Sequence, residues 1–405
     1  MNNSVINIDK FISKKVIKRD SSMFYPDIAD NIEKLNQQIN GKSILVIGGA
    51  GSIGASFIKQ ILKFNPSSLV VVDINENSLA ELTRDLRSTN GLNIPFDFTT
   101  YPFDYNSSEF VRMFKNRRGF DIVANFSAHK HVRTEKDIYA IEALINNNVI
   151  HLKKLLDLLV QYPPQRYFCV STDKAANPVN IMGASKRIME DVIFSYSKFF
   201  NVTTARFANV AFSNGSLPDG FLSRISKHQP LSAPVDVKRF FVSPEEAGQI
   251  CLISCLLGDN RTILFPKLKA AQMESFDKIA RDLLALYGYE IIECDTDEEA
   301  LSYSNKLSNG GNLYPVRFTS SDTSGEKAFE EFVASDEQTD MNSFISLGVI
   351  VGKEIPDINK INDLFADLID AFELEKNKDE IISIINNYLS NFHHIETGKS
   401  LDNRM

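Results

Sequence analysis

A chain of 405 residues with 44 Lys+Arg against 52 Asp+Glu has a formal net charge of −8. That argues against a general nucleic-acid or anionic-membrane binder, since either would present a basic face. Hydrophobic residues at 43% and charged residues at 24% describe a globular protein with room for two or three domains, not a disordered chain.

Residues 1–40 are polar, of mixed charge, and read as a leading helical arm. The first 20 carry charges throughout and lack the apolar core of a signal peptide. No run of about 18 apolar residues offers a membrane span. Periodicity becomes clear at 44–47, an all-apolar strand followed by a glycine-rich turn. A helix over 52–64 then places Ile53, Phe57, Ile58, Ile61 and Leu62 at helical spacing, and Asn65-Pro66 closes it. A second strand over 69–73, a polar helix over 76–87 and a third strand over 96–103 follow. Further strands are expected at 121–126, 166–171 and 202–210, separated by long helical patterns at 138–159 and 182–200. Unbroken apolar strands alternating with helices mean a parallel sheet covered on both faces.

Beyond about residue 210 the signal weakens, and Gly, Pro and Ser cluster over 213–244. One strand at 261–265, one helix at 276–286 and a mostly polar loop over 295–324 are expected. Two amphipathic helices lie within 359–392, separated around 373–379. Four cysteines, Cys169, Cys251, Cys255 and Cys294, contain no CxxC pair; that is too sparse for a disulfide framework and points to a reducing compartment, the cytoplasm. Cys251 and Cys255, spaced i and i+4, read as core residues of a helix. No HExxH or Cys/His spacing supports a metal site.

Gly48, Gly51 and Gly54 punctuate GGAGSIG between the first strand and its helix. Glycines there permit a tight turn and let the backbone approach a pyrophosphate, held at the helix N-terminus formed with Ser52 and Ile53. Asp73 ends the second strand about 20 residues further on, where an acidic side chain binds ribose hydroxyls and repels a 2′-phosphate. NAD is therefore favoured over NADP.

The segment VSTDKAANPVNIMGASKRIME over 170–190 runs from a buried strand through an Asn-Pro turn into a helix carrying Met182 and, one turn later, Lys186. Thr172, Asp173 and Lys174 then stand at the end of a parallel strand, facing the crevice where such sheets bind ligands. Glycine loop, Asp73 and this segment together resemble the extended short-chain dehydrogenase/reductase family. Within it they are similar to the nucleotide-sugar 4,6-dehydratases of polysaccharide biosynthesis, especially those acting on UDP-N-acetylglucosamine; the likeness spans about residues 41–333. It implies an α/β fold: a Rossmann doubly wound parallel sheet over 41–212, a smaller, partly interleaved substrate lobe over 213–345 and additional C-terminal helices over 346–405, after the 1–40 arm.

One position departs from most of that superfamily. Its Tyr-x-x-x-Lys is here Met182-Gly-Ala-Ser-Lys186, and a thioether has no proton to exchange. Met in place of Tyr resembles the subgroup of UDP-N-acetylglucosamine 4,6-dehydratases that retain configuration at sugar C5. Those proteins often carry N-terminal membrane helices, and this chain reads as a soluble version. The resemblance implies C4 oxidation by NAD, elimination of water across C5 and C6, and return of hydride to C6. It gives Asp173 general-acid work on the departing C6 hydroxyl, Lys174 the C5 proton, and Lys186 the nicotinamide ribose. Thr172, Asp173 or a bound water takes the C4 hydroxyl proton.

The family likeness adds Asp104, Ser127 and Ala128 to the cofactor contacts, and Lys130, Asn209, Arg239 and Glu326 to the sugar-nucleotide contacts. Asn148 matches an Asn-Val at the start of the helix after strand four. Arg239 is suited to meet a pyrophosphate bidentately. Asn214 stands where an Arg is common, and Thr323-Ser324 where Arg-Pro is usual. A UDP-sugar is the implied substrate, a homo-oligomer the implied assembly. A nucleotide-sugar 4-epimerase or C4 oxidoreductase shares the first step, and a catalytically silent NAD-binding scaffold is suggested by Met182 alone.

Overall fold

The structure, a computed structural model, describes residues 6–307, 311–321, 327 and 329–396. Its centre is a nine-stranded sheet. The strands are β1 (Ser43–Ile47), β2 (Ser68–Val72), β3 (Asp97–Tyr101), β4 (Ile122–Asn125), β5 (Arg166–Thr172), β6 (Asn201–Phe207), β7 (Thr262–Pro266), β8 (Gln338–Asp340) and β9 (Leu347–Val351). Their order is β8-β9-β7-β6-β5-β4-β1-β2-β3. The seven from β7 to β3 run parallel, and β9 and β8 close one edge antiparallel. The interior strands β1, β2 and β4 are apolar on both faces because helices cover both sides.

Strand order reverses between β1 and β4, which opens a crevice at their C-terminal ends. Register sets which residues meet there. Ile47 lies beside both Val72 and Asn125, and Asn125 beside Cys169. Strand β5 continues three residues beyond Cys169, with Thr172 paired to Phe207. The glycine turn, Asp73 and Ser127 therefore leave the sheet at one level, and Thr172 stands above them.

A second, smaller core carries the other wall. A three-stranded parallel sheet, Glu290–Glu293, Leu313–Thr319 and Leu231–Pro234, packs with the helices Leu217–Ser226 and Phe276–Leu286 around Phe221, Leu231, Leu283, Tyr314 and Val316. The leading arm joins both bodies. Phe11, Ile12 and Val16 lie in the small core, whereas Phe24, Leu35 and Ile39 lie in the large one. Arg19 pins the arm by a bidentate pair to Glu246 at 2.9 and 2.7 Å, and the Asp27 carboxylate accepts the Ile345 and Ser346 amides.

Several expectations change in detail. The loop expected over 295–324 contains the helix Asp297–Leu307 and the strand Leu313–Thr319. Tyr314 and Val316 are fully buried there, a burial supplied by the small sheet rather than by local periodicity. The turn-rich stretch 213–244 holds Leu217–Ser226, started by the Ser216 hydroxyl accepting the Asp219 amide. The helix expected over 138–159 is interrupted by a π-turn, Asn146–Ile150. Residues 338–340 and 347–351, on either side of the expected 345/346 boundary, pair with each other in the central sheet. The two C-terminal helices, Ile358–Glu373 and Lys378–Tyr388, bury Ile361, Leu364, Leu368, Ile381 and Ile385 in the large core. Among the described residues, no helix is long and apolar enough to cross a membrane.

Candidate active site

The first wall of the crevice is the glycine turn. Gly48 has φ +69°, and a Cβ on it would meet the Ser127 amide nitrogen at 2.6 Å and the Phe126 carbonyl carbon at 2.8 Å. A Cβ on Gly54 would meet the Gly48 carbonyl oxygen at 2.6 Å. Only hydrogen fits at either place, so the turn and the helix Ser52–Ile61 pack as one unit against the loop after β4. Gly51 is the N-cap of that helix and offers no side-chain cap, which leaves the Ser52 and Ile53 end of the helix as a site for an anion. Asp73 follows β2 and accepts the Ala50 amide at 3.0 Å on one oxygen and the Asn75 amide at 3.0 Å on the other. Each oxygen keeps a further lone pair for a ribose hydroxyl. This donor and acceptor set fits a dinucleotide. Asp104, just beyond β3, is exposed and accepts the Asn106 amide.

The loop after β4 is held by asparagines. Asn125 accepts the Ser127 amide at 2.9 Å. Asn148, on the π-turn and 3% exposed, accepts the His129 amide, donates to the His129 carbonyl and donates to the Ser185 hydroxyl at 3.0 Å. Ser127 and Ala128 are thereby fixed beside the glycine turn. Lys130 donates to the Asn214 carbonyl, and the Asn214 amide donates to the Ser52 hydroxyl. This chain of contacts joins the two sides of the crevice through the 213–215 turn.

The second wall begins at the end of β5. The Thr172 hydroxyl donates to Asp173 Oδ1 at 2.9 Å, and Lys174 Nζ lies 3.3 Å from the same oxygen. Lys174 Nζ also lies 3.4 Å from Glu330 Oε1. The side chains of Asp173 and Glu330 are 4% and 3% exposed, and that of Lys174 19%. Burial acts to lower the Lys174 pKa, but the two carboxylates outweigh it and hold the ammonium above its usual range. Burial pushes the Glu330 carboxyl up, with Asp173 adding to it and Lys174 opposing.

Helix Ile181–Ser195 supplies the rest. Asn180 caps it by accepting the Gly183 amide at 2.7 Å. A Cβ on Gly183 would meet the Lys174 carbonyl oxygen at 2.7 Å, so this glycine lets the helix approach the Thr172–Lys174 turn. Met182 is 3% exposed, and its amide donates to Glu135 Oε1 at 3.0 Å. Lys186 is turned inward: Nζ donates to the Val170 carbonyl at 3.1 Å and approaches Met189 Sδ. Burial lowers its pKa, against the pull of Cys169 and Glu190.

The remaining sequence-derived positions are dispersed around this centre. Asn209 lies two residues past β6, its amide donating to the Phe240 carbonyl, in a strand pair with Phe241–Val242. Arg239 is 4% exposed, donates to the Lys238 carbonyl and bears electrostatically on both Lys174 and Glu330. Glu326 lies outside the described residues. Glu330 and Glu135 are the two site residues that sequence reading missed. Neither has a local motif beyond its charge, and each meets the site only through tertiary docking. No metal-holding group of His, Cys, Asp or Glu occurs among the described residues.

The family model for polysaccharide biosynthesis proteins matches residues 44–351. An uncharacterized membrane protein of Methanocaldococcus jannaschii is 28% identical over 344 residues, covering 83% of this chain and 93% of its own. The probable polysaccharide biosynthesis protein EpsC of Bacillus subtilis is 28% identical over 307 residues, covering 75% of this chain and 47% of its own. This chain thus spans about half the length of that relative. Among solved structures, the dTDP-glucose 4,6-dehydratase DesIV of Streptomyces venezuelae, with NAD and TYD bound, aligns with a TM-score of 0.54 at 19% identity, over 72% of this chain and 88% of that one. That likeness shows a shared fold. The family match extends from β1 to the last residue of β9 and takes in both walls of the crevice, and by it the chain belongs to the polysaccharide biosynthesis protein family.

Proposed function

We propose that this protein is an NAD-dependent nucleotide-sugar 4,6-dehydratase that converts UDP-N-acetylglucosamine to the 4-keto-6-deoxy sugar nucleotide. The observation that carries this reading is the Thr172–Asp173–Lys174 cluster at the end of β5, with Asp173 buried and its two neighbours half-buried, directly above the crevice. An epimerase has no need of an acid and a base for removing water, and this chain sets both beside each other. NAD, held by the glycine turn, the Ser52–Ile53 helix end and Asp73, supplies when bound the reversible acceptor for the C4 hydrogen and the donor to C6.

The chain's own groups handle the protons. Thr172 hydrogen-bonds Asp173, so the pair can pass the C4 hydroxyl proton to the Asp173 carboxylate. That proton then leaves with the C6 hydroxyl as water. Lys174 takes the C5 proton, acidified by the C4 ketone, and returns it to C5. The balance is loss of one water. Met182 leaves the position of the usual phenol without a titratable group, and Lys186 supplies positive charge behind Val170.

Incubation with UDP-N-acetylglucosamine and mass spectrometry of the product test this. Loss of one water without net NADH is expected. An isobaric product would make the protein an epimerase, and an unchanged sugar would favour a silent scaffold. Asp173→Asn and Lys174→Ala should each lower turnover by about 10²-fold or more. Near-wild-type turnover of either would overturn its assigned role.

A further inference from the structure

We propose that Glu330 is a third member of the acid/base site, acting through Lys174: it accepts the proton that the lysine must shed before its amine can take the C5 hydrogen. This rests on the dehydratase reading. An ammonium has three N–H donors and no lone pair, so Lys174 as it stands between two carboxylates cannot act as a base. Of those carboxylates, Asp173 is engaged by Thr172 and committed to the departing C6 hydroxyl. Glu330 Oε1, 3.4 Å from Lys174 Nζ, is the remaining acceptor.

The placement of Glu330 is built. Two other residues of the same segment dock on the turn after β5: Lys327 Nζ donates to the Asn177 carbonyl at 2.6 Å, and Asn177 Nδ2 donates to Glu331 Oε2 at 3.0 Å. These contacts fix Glu330, its side chain 3% exposed, over Lys174. The groups that bear on it are Asp173 and Lys174 from that turn, Arg239 from the short strand Lys238–Arg239, and Lys327 from its own segment. Burial raises its pKa, which makes it a better proton acceptor than an ordinary carboxylate. Transfer from Lys174 to Glu330 turns a buried ion pair into an amine and a carboxylic acid; burial opposes both charges and so lowers the cost of the step, against the hold of the two carboxylates on the ammonium. The step moves one proton, breaking an N–H bond and forming an O–H bond. It reverses when Lys174, protonated by C5, has returned that proton.

The test is Glu330→Gln, which keeps size and hydrogen bonding but cannot accept the proton, assayed beside Glu330→Asp and the wild type. Solvent deuterium entering C5, product mass, KM and the pH profile of kcat are measured. We expect Glu330→Gln to bind UDP-N-acetylglucosamine normally, to lose about 10²-fold in kcat and in deuterium entry at neutral pH, and to recover as pH rises. With the internal acceptor gone, Lys174 must release its proton to solvent, which becomes easier at higher pH. Glu330→Asp should be intermediate and should not need high pH. A pH-independent loss in Glu330→Gln would reduce Glu330 to a positioning role, and wild-type kcat with normal deuterium entry would remove it from the site. Either result overturns the proposal while leaving the dehydratase reading intact. That reading fails separately if the wild type itself removes no water.

Discussion

Gly48 shows how one residue can decide two elements. Its φ of +69° and the 2.6 Å that a Cβ would leave to the Ser127 nitrogen are independent obstacles to any larger residue. The left-handed backbone alone costs an L-residue about 1–2 kcal/mol. The clash is with backbone, which cannot swing away like the end of a side chain. Gly48→Ala is expected to lower stability by about 2 kcal/mol or more and to weaken NAD binding, since the turn would separate from the loop after β4. Thermal unfolding and calorimetric titration with NAD measure the two effects. Undiminished NAD affinity would show that the close approach does not shape the cofactor site. Cys251 and Cys255 illustrate the opposite case: both are buried, and burial pushes the Cys255 thiol up to about 12, as befits core packing rather than chemistry.

At the scale of elements, the start of helix Ile181–Ser195 is held from outside its own sequence neighbourhood. Glu135 Oε1 accepts the Met182 amide, and its Oε2 lies 3.2 Å from His394 Nε2. The tail then runs along the turn before the helix, with the His393 amide donating to Pro178 and the Ile395 amide to Val179. Residues 393–395 thus brace the turn between Lys174 and Met182. A chain ending after Phe392 retains both C-terminal helices together with the buried Leu389 and Phe392, and should stay folded. It should lose on the order of tenfold in turnover, because small displacements of reacting groups are expensive in rate. His394→Ala should show part of that loss. Unchanged kcat in the truncated chain would mean that the tail has no positioning role. The strand–helix alternation from β1 to β6 was legible because each segment buries itself by its own period. The small sheet was not: the polar stretch 295–324 gains its buried strand from partners at 231–234 and 290–293.

The whole molecule is tied together by one buried network. Arg206, fully buried, makes paired hydrogen bonds to Glu190 at 2.9 and 2.8 Å and to Glu337 at 2.6 and 2.8 Å, and donates to the Phe332 carbonyl. Glu190 also accepts the Ser171 hydroxyl, and Lys353 joins Glu337. The network links β5, β6, the helix of Met182 and the segment leading from Glu330 back into the central sheet. Arg206→Ala removes the bidentate partner of two buried carboxylates, leaving Glu190 to Arg187 and Ser171 and Glu337 to Lys353, and should destabilise the fold by about 3 kcal/mol, measured by denaturant unfolding. Burial alone would raise the Glu337 pKa, but Arg206 and Lys353 override it and bring it to about 2. A depressed carboxylate stabilises the fold above its unfolded pKa, and that stability is lost as pH falls. The window here runs from about 4.5 down to about 2, with a contribution on the order of 3 kcal/mol. Arg206→Ala should flatten the pH dependence of stability in that window; an unaltered acid limb would assign it to other carboxylates.

The sequence by itself determined the parallel sheet, the glycine turn with Asp73, and the Thr172–Asp173–Lys174 segment with Met182 and Lys186 behind it. Each depends on spacing within a few residues or on one strand–turn–helix unit, so the chemistry is written next to the element that positions it. Only the tertiary structure decided that Glu330 closes on Lys174, that Glu135 and His394 brace Met182, and that Lys186 turns inward to Val170. Those contacts, apart from that of Lys186, join residues far apart in the chain. They depend on how two cores and a tail dock, which no local periodicity encodes.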